Sequence, residues 1–234
     1  SRTRPPNAAI AIAALGGRVR LVTVLGSHPL ADLARSDLEQ YGVEVVDAMP
    51  ERAAPPAISA VSVRDQDGER TVVSHNAAGV QAAADVDTSA ADTVLLDGHH
   101  PALALKAARV DVPVVLDAGS WKPVFPELLP LVDVCACSAA FRGEVDCPVV
   151  TWTDGPDPVR WRVGADQGEV VVPRTTARDT SGAGDVWHGA LALGVARLGR
   201  VPEAADMPDL ITYANDIAGI RVQHEGASWR AELR

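Results

Sequence analysis

The sequence predicts an α/β protein in which helices cover a mostly parallel β-sheet. Residues 7–15 form an Ala-rich helical stretch that ends at a Gly-Gly pair, and residues 19–25 alternate as a strand does. A helical pattern over 29–41 and a short strand over 43–46 continue the order. Such an alternation is typical of a parallel sheet with helices on its faces. The 234 residues are enough for one α/β domain, with or without a small accessory element.

A β-hairpin interrupts this alternation between residues 57 and 76. Two β-rich runs, 57–63 and 69–75, flank an Asp-Gly pair at 67–68. Asp-Gly between β-branched runs is a strong hairpin signal. A hairpin inside an α/β pattern is either an edge ribbon or a separate flap, and the residues leave both open.

The alternation resumes after the hairpin. Strands are predicted over 93–96, 112–117, 132–137 and 149–153, and helices over 101–109, 126–131, 186–198 and 209–222. A second hairpin is predicted from residues 159–163 and 169–172. No helical pattern lies between 137 and 149, although two parallel strands usually need a longer crossover.

Composition and charge disfavour several classes of function. The hydrophobic fraction is 47% with only 4% aromatics, so Ala, Val and Leu are expected to build the core. The net charge of −10 repels a phosphate backbone, so we expect no nucleic-acid partner. No signal peptide is recognisable, and no apolar run approaches the roughly 20 residues that a membrane span requires. Three cysteines do not suggest a disulfide framework, so a cytoplasmic protein is expected.

The segment 179–185, Asp-Thr-Ser-Gly-Ala-Gly-Asp, carries the strongest chemical signal in the sequence. Gly182 and Gly184 would let backbone N–H groups turn inward without obstruction by side chains. The long helix that follows adds its unpaired N–H groups and the positive end of its dipole. The segment therefore predicts a site for an anionic oxygen, such as that of a phosphate.

Asp185 is placed at the mouth of that site. A carboxylate there would weaken the binding of phosphate in the ground state, but it could accept the proton of an attacking hydroxyl. The pattern therefore favours phosphoryl transfer, with Asp185 as base and the backbone of Ser181, Gly182, Ala183 and Gly184 as the anion hole. On these residues alone, a structural role also stays open, with Asp185 as a helix cap and the glycines as a tight turn.

The segment 179–185, opening a long helix of small residues, resembles the C-terminal signature of the ribokinase-like, PfkB-type carbohydrate kinases. The N-terminal part also resembles that family, because Asn7-Ala8-Ala9 opens a helix ending in Leu-Gly-Gly. Thr153-Asp154-Gly155 is similar to the family's strand-end loop near the nucleotide. The resemblance implies a three-layer α/β/α fold, with residues 1–234 as one kinase domain and the hairpin as part of a β-lid.

The resemblance also implies ATP-dependent phosphorylation of a hydroxymethyl group of a sugar. It implies ATP and Mg²⁺ as cofactors, with K⁺ as a further candidate, and a homodimer formed through paired lids. Two short segments, Asp-Gly-His-His-Pro at 97–101 and Gly-Ser-Trp-Lys-Pro at 119–123, resemble ketohexokinase-like and fructokinase-like members. We therefore favour a ketose such as fructose. A nucleoside kinase of the same superfamily and a non-catalytic sugar- or nucleotide-binding homologue stay open as alternatives.

Individual site residues follow from the same resemblance. Asp185 is the implied catalytic base, in contact with the substrate. Asn7 and Asn76 are the further implied substrate contacts. The implied nucleotide contacts are Thr153, Gly155, Gly182, Gly184 and Asn215. Asp179 is implied either to bind a monovalent cation or to support the loop.

Three features depart from the family's pattern. The family begins with a strand that carries an Asp and is followed by Gly-Gly, whereas Pro5-Pro6 precedes Asn7 here. The Asn-x-x-Glu motif that helps to organise Mg²⁺ is absent, and residues 138–142 stand in its place. The chain is also shorter than the family's norm. Either the sequence omits residues or the pocket is incomplete. Because deletion of a central strand would expose its neighbours' backbone groups, we expect that the sequence omits residues.

Polar residues follow two of the predicted strands. His99 and His100 follow the strand at 93–96, and Lys122 follows the strand that ends at Asp117. Ligands gather at the carboxyl ends of parallel strands, so these residues are candidates for contact with the sugar or with donor phosphates. A solvated loop is the alternative for the histidines.

Overall fold

The computed structural model describes residues 5–63, 70–75, 80, 82 and 84–233, and only the backbone of Pro5, 59–63 and 70–75. The strands in this part of the chain are β1 (Val19–Thr23), β2 (Val43–Asp47), β3 (Ile58–Val63), β4 (Arg70–His75), β5 (Val94–Leu96), β6 (Val114–Ala118), β7 (Val134–Ser138), β8 (Val149–Thr153), β9 (Val159–Val163) and β10 (Asp166–Val170). The α-helices are α1 (Pro5–Ala14), α2 (Pro29–Glu39), α3 (Pro101–Ala107), α4 (Phe125–Leu128), α5 (Ala183–Leu198), α6 (Met207–Val222) and α7 (Trp229–Glu232), with 3₁₀ turns at Leu129–Leu131 and Ala204–Asp206.

Six strands form the main sheet, in the order β10-β9-β8-β7-β6-β5. β5, β6, β7 and β8 are parallel neighbours, whereas β8, β9 and β10 pair antiparallel. The predicted α/β class with a mostly parallel sheet is therefore confirmed. The carboxyl ends of β5 to β8 lie at one edge of this sheet, where ligands of α/β proteins commonly bind.

Both faces of the sheet are covered by apolar side chains. Val115, Val134 and Val149 pack in one buried cluster with α1, α5 and α6. Their neighbours along the strands, including Leu116 and Cys135, pack in a second buried cluster with α3 and α4. Because successive side chains of a strand point to opposite faces, Asp117 lies on the same face as Val115, towards α5. The result is the three-layer α/β/α arrangement.

Two smaller sheets accompany the main one. β1 and β2 form a parallel pair, and β3 and β4 form an antiparallel pair in which Ile58 lies opposite His75. The predicted hairpin at 57–76 is therefore present as a pair of strands. Its Asp67-Gly68 turn and the predicted substrate contact Asn76 lie outside the described residues. The lid function, the dimer and the assignment to one domain stay predictions.

The crossover from β7 to β8 runs through residues 139–148 without a helix. The two strands are nevertheless parallel, with Ser138 opposite Thr153. Phe141 N–H donates to Ser138 C=O at 2.9 Å, which turns the chain directly at the end of β7. Phe141 and Cys147 are buried and anchor the two ends of the loop. Buried side chains thus replace the helix that a parallel crossover usually contains.

The second predicted hairpin is present, but its last strand is displaced towards the N-terminus. β10 covers Asp166–Val170 instead of the predicted 169–172. Asp166 lies opposite Val163, and Gly164 has a φ of +56° in the tight turn between the strands. The turn fixes the register, so polar residues occupy strand positions that the apolar pattern did not indicate. None of the helices in the described residues is long and apolar enough to cross a membrane.

Candidate active site

The N-terminus of α5 lies in the glycine-rich loop that the sequence predicts as the anion site. Gly182 precedes the helix with a φ of +75°, a left-handed conformation that favours glycine. A Cβ at this position would also lie 2.5 Å from Asn7 Nδ2. Val186 N–H donates to Gly182 C=O at 3.1 Å and closes the first helical turn. Asp185 lies in that turn, and only 3% of its surface is exposed.

The four backbone amides predicted as the anion hole differ in their hydrogen bonds. Ser181 N–H donates to Asp179 Oδ1 at 2.9 Å, and Ala183 N–H donates to Thr180 C=O at 3.3 Å. The amides of Gly182 and Gly184 have no acceptor among the described residues. A Cβ on Gly184 would meet no atom within 4 Å, so open space lies beside it. Of the four predicted amides, those of Gly182 and Gly184 are therefore the ones available to bind an anion.

Asn7 and Asp185 meet although 178 residues separate them in the sequence. Asn7 Nδ2 donates to Asp185 Oδ2 at 3.2 Å. The contact depends on close packing of α1 against α5, since a Cβ on Gly189 would lie 2.6 Å from the carbonyl oxygen of Ala8. Glycine at 189 lets the two helix backbones touch. Asn7, predicted as a substrate contact, is therefore placed beside the predicted base.

Asp179 is bonded within the protein at the start of the loop. Arg221 Nη2 donates to Asp179 Oδ2 at 2.8 Å, and Arg221 Nη1 donates to the Asp179 carbonyl at 3.1 Å. The Gly226 N–H donates to Oδ2 at 3.3 Å. Burial opposes ionisation of Asp179, but hydrogen bonds from Arg221 and Ser181 outweigh it, so the pKa of this carboxyl lies well below its usual range. These bonds give Asp179 the loop-supporting role that the sequence left open, and its binding of a monovalent cation stays a prediction.

A second ion pair lies on the sheet side of α5, and this one is buried. His188 Nδ1 is 3.0 Å from Asp117 Oδ2, and both side chains are almost fully buried. Asp117 is the fourth residue of β6 and its Oδ1 accepts from Gly119 N–H at 3.0 Å. Burial lowers the pKa of His188, but the negative charges of Asp117 and Asp185 outweigh this and raise it overall. His188 was not predicted as a site residue.

A third group of charges lies at the carboxyl end of β5. His99 Nδ1 is 2.6 Å from Asp97 Oδ2, and the His99 N–H donates to Asp97 Oδ1 at 3.0 Å. Lys122 Nζ is buried and has no hydrogen-bond acceptor in the part of the chain that the structure describes. Burial lowers the pKa of Lys122, and the charges of Asp97 and Asp117 partly compensate. Charged groups at the carboxyl ends of β5 and β6 therefore lie close enough to interact electrostatically.

Sequence comparison identifies the family to which the chain belongs. The sequence profile of the pfkB family of carbohydrate kinases matches residues 5–140 and 140–232. The chain belongs to this pfkB family. The predicted resemblance to PfkB-type carbohydrate kinases is confirmed at the level of the family.

Solved structures agree with the pfkB assignment in fold. A putative ribokinase from Agrobacterium tumefaciens superposes with a TM-score of 0.78 at 23% identity, covering 97% of this chain and 83% of that one. A fructokinase from Xylella fastidiosa with bound ATP gives 0.73 at 17% identity, covering 98% and 88%. An adenosine kinase from Sinorhizobium meliloti gives 0.76 at 18% identity, covering 98% and 81%. These likenesses establish the ribokinase-like fold.

Membership in the pfkB family identifies the chain as a kinase, that is, a phosphotransferase that binds ATP. The family also implies a small-molecule substrate. Sugar kinases and a nucleoside kinase share the fold at similar identity, so the acceptor is not fixed by the family.

The three predicted nucleotide contacts outside the glycine-rich loop of this pfkB chain lie in different environments. Thr153 ends β8, and its Oγ1 donates to Cys137 C=O at 3.4 Å. Gly155 lies in the exposed turn that follows, with a φ of +55°. Asn215 is buried, and its Oδ1 accepts from Trp187 Nε1 at 2.9 Å. Thr153 and Gly155 lie at the carboxyl ends of the parallel strands, and all three roles stay predictions.

The two residues that sequence reasoning missed or undervalued are His188 and Asp117. His188 lies in a helix of Ala, Leu and Val, where a single histidine suggests no function. Its spacing of three residues from Asp185 was the available signal, because residues three apart share a face of a helix.

Proposed function

We propose that this chain transfers the γ-phosphoryl group of ATP to a hydroxymethyl oxygen of a sugar, with a ketose such as fructose as the favoured class. One observation carries the proposal. Asp185 is buried in the first turn of α5, directly beside the Gly182 and Gly184 amides that have no acceptor in the described residues. This arrangement supports a base and an anion site for a migrating phosphoryl group on one helical turn.

In this proposal Asp185 accepts the proton of the sugar hydroxyl as the oxygen attacks the γ-phosphorus. A new O–P bond forms, the bond between the γ-phosphorus and the bridging oxygen breaks, and that electron pair leaves with ADP. The Gly182 and Gly184 N–H groups and the positive end of the α5 dipole stabilise the charge on the equatorial oxygens. Asn7 Nδ2 donates to Asp185 Oδ2, which supports a role for Asn7 in contact with the same acceptor.

Mg²⁺ is implied by the family's chemistry. No group of three His, Cys, Asp or Glu side chains in the described ranges could hold a metal ion. Residues 138–142 stand where the Asn-x-x-Glu motif is expected, and Arg142 Nη1 bonds the Ala139 carbonyl there. Magnesium usually keeps several waters and binds through substrate phosphates with few protein ligands, so the residues present suit an ion carried by ATP. Bound in this way, it would neutralise charge on the donor phosphates.

Replacement of Asp185 tests the proposal. Asp185→Asn should retain the fold and ATP binding but lower kcat at least about a hundredfold, because an amide cannot accept the proton. Coupled measurement of ADP release with a panel of sugars gives kcat, and calorimetry gives ATP affinity. Asp32→Asn is the matched control, since Asp32 also lies in the first turn of a helix but is exposed. Near-normal turnover of Asp185→Asn would refute the role of Asp185.

A nucleoside acceptor is the second candidate, because the adenosine kinase from Sinorhizobium meliloti shares the fold over 98% of this chain. Competition between sugars and nucleosides in the same ADP-release assay separates the two acceptors. Absence of phosphorylation with either class, together with measurable ATP binding, would favour the non-catalytic homologue.

A further inference from the structure

His188 and Asp185 lie three residues apart on α5 and therefore share one face of the helix. Both side chains are almost completely buried, with 2% and 3% of their surfaces exposed. Two titratable groups with so little access to water interact much more strongly than they would at the surface. The charge of His188 therefore affects the charge of its neighbour.

Asp117 fixes the imidazole from the opposite side. Its position in β6 directs it towards α5, and the Gly119 N–H holds one of its oxygens. The other oxygen lies 3.0 Å from His188 Nδ1, a distance that does not come with the angle of a directional hydrogen bond. The attraction is therefore chiefly between charges.

Buried carboxylates require a compensating positive charge. A lone buried carboxylate is strongly unfavourable, and Asp117 and Asp185 both act on His188. Among the described residues, the other charged group acting on the imidazole is Lys122, which disfavours its protonation. Two negative groups against one positive group favour the imidazolium form. Burial opposes this, but the net effect is a raised pKa of His188.

The second ring nitrogen of His188, Nε2, is buried and forms no hydrogen bond with the described residues. Buried donors in native proteins are nearly always bonded, so an isolated N–H usually marks the place of a water or ligand atom. A structural histidine would normally bond both ring nitrogens.

We propose that His188 is a positioning residue: protonated and anchored by Asp117, it keeps Asp185 ionised and ready to accept the proton of the acceptor hydroxyl. The assignment of Asp185 as base rests on the proposed function. The electrostatic coupling between His188 and Asp185 does not, because it can be observed without any turnover.

Titration of His188 by NMR tests the coupling. The chain contains six histidines, so the ring signals of ¹³C,¹⁵N-histidine-labelled protein can be assigned with His188→Gln. The wild-type ring should be protonated at pH 7. In Asp117→Asn the titration midpoint should fall by about one unit or more, and in Asp185→Asn it should fall by a smaller but measurable amount. Coupling is reciprocal, so a fall in Asp185→Asn also measures how His188 favours the ionised base.

A neutral ring at pH 7 in the wild type would overturn the proposal, and so would an Asp185→Asn titration identical to that of wild type. A kinetic arm applies once an acceptor is known. His188→Gln should move the acidic limb of the kcat/KM profile upward by about one pH unit, whereas the control His28→Asn, at the half-buried N-cap of α2, should not. An unmoved limb would also overturn the proposal. If no acceptor is ever phosphorylated while the NMR couplings hold, the proposed function fails and the coupling stands.

Discussion

Two ion pairs flank the N-terminal end of α5, and they differ in what they can do. Asp179 and Arg221 join the glycine-rich loop to the end of α6, with both Nη atoms of the guanidinium bonded. Asp117 and His188 join β6 to α5, with one ring nitrogen unpartnered in the described residues. A guanidinium keeps its charge at every accessible pH, whereas an imidazolium loses its charge within the physiological range. The first pair therefore holds the loop in place, and the second can respond to protons.

The two pairs should also lose their contributions to folding stability in opposite directions of pH. The pKa of Asp179 is lowered in the folded protein, so its contribution to stability is present above the unfolded value, about 3.9, and is lost in acid. The pKa of His188 is raised, so its contribution is present below the unfolded value, about 6.5, and is lost as pH rises through the folded value.

Removal of the permanent charge should have the largest effect on stability. Arg221→Met retains an apolar chain near Trp229 but leaves Asp179 without its cation. Asp179 is only partly buried, with 20% of its side chain exposed, so loss of its charged hydrogen-bond partner should cost about 1.5–3 kcal/mol, and urea unfolding at pH 7 measures it. The control Arg197→Met removes an exposed arginine of α5 and should cost less than about 1 kcal/mol. Equal losses in the two variants would contradict a loop-fixing role for Arg221.

Separation of α1 from α5 should have the next largest effect. Gly189→Ala places a Cβ 2.6 Å from the Ala8 carbonyl oxygen, and overpacking of this kind costs about 1–3 kcal/mol. The displacement of Asn7 should also lower kcat. In the control Gly219→Ala, the new Cβ would come no closer than 3.9 Å to Thr175 Oγ1, so helix propensity should stabilise α6 by up to about 1 kcal/mol. A stabilised Gly189→Ala variant would show that the helices do not touch there.

The pH dependence of the second pair should give the smallest effect. Wild-type stability should decline by about 1 kcal/mol as pH rises through the folded pKa of His188, because each unit of pKa difference corresponds to about 1.4 kcal/mol. Asp117→Asn removes the charge that raises this pKa, so its stability should change less over the same range. Thermal unfolding of both proteins between pH 6 and 9 measures the difference. Parallel curves would argue against an ionised pair.

Local patterns predicted most of the fold because the strands are short, apolar and bounded by turn residues. β8 and β9 have the predicted bounds, 149–153 and 159–163. The start of β10 was misplaced because cross-strand pairing brings Asp166 and Gln167 into the strand despite their low β-propensity. The short helix α7 was not predicted, since burial of Trp229 depends on packing against distant elements rather than on a local pattern.

The candidate site was predicted as a segment but not as a three-dimensional arrangement. Spacing placed Asp185 in the first turn of α5, and this is where the structure has it. The sequence does not show which amides already have acceptors, because that depends on the orientation of the Asp179 side chain, which accepts from Ser181 N–H. The pairing of His188 with Asp117 joins elements about 70 residues apart, and no local pattern reports such a contact.

The close approach of the Ala8 and Gly189 backbones also affects how the spacing of α1 and α5 responds to substitutions. Spacing between two helices is usually set by the sizes of the side chains between them, so a change of Leu to Val shifts it. Here Gly189 lets the two main chains approach closely, so the spacing depends less on the sizes of the side chains packed between the helices. The contact between the side-chain amide of Asn7 and the carboxylate of Asp185 should therefore be less sensitive than most tertiary contacts to changes in core composition.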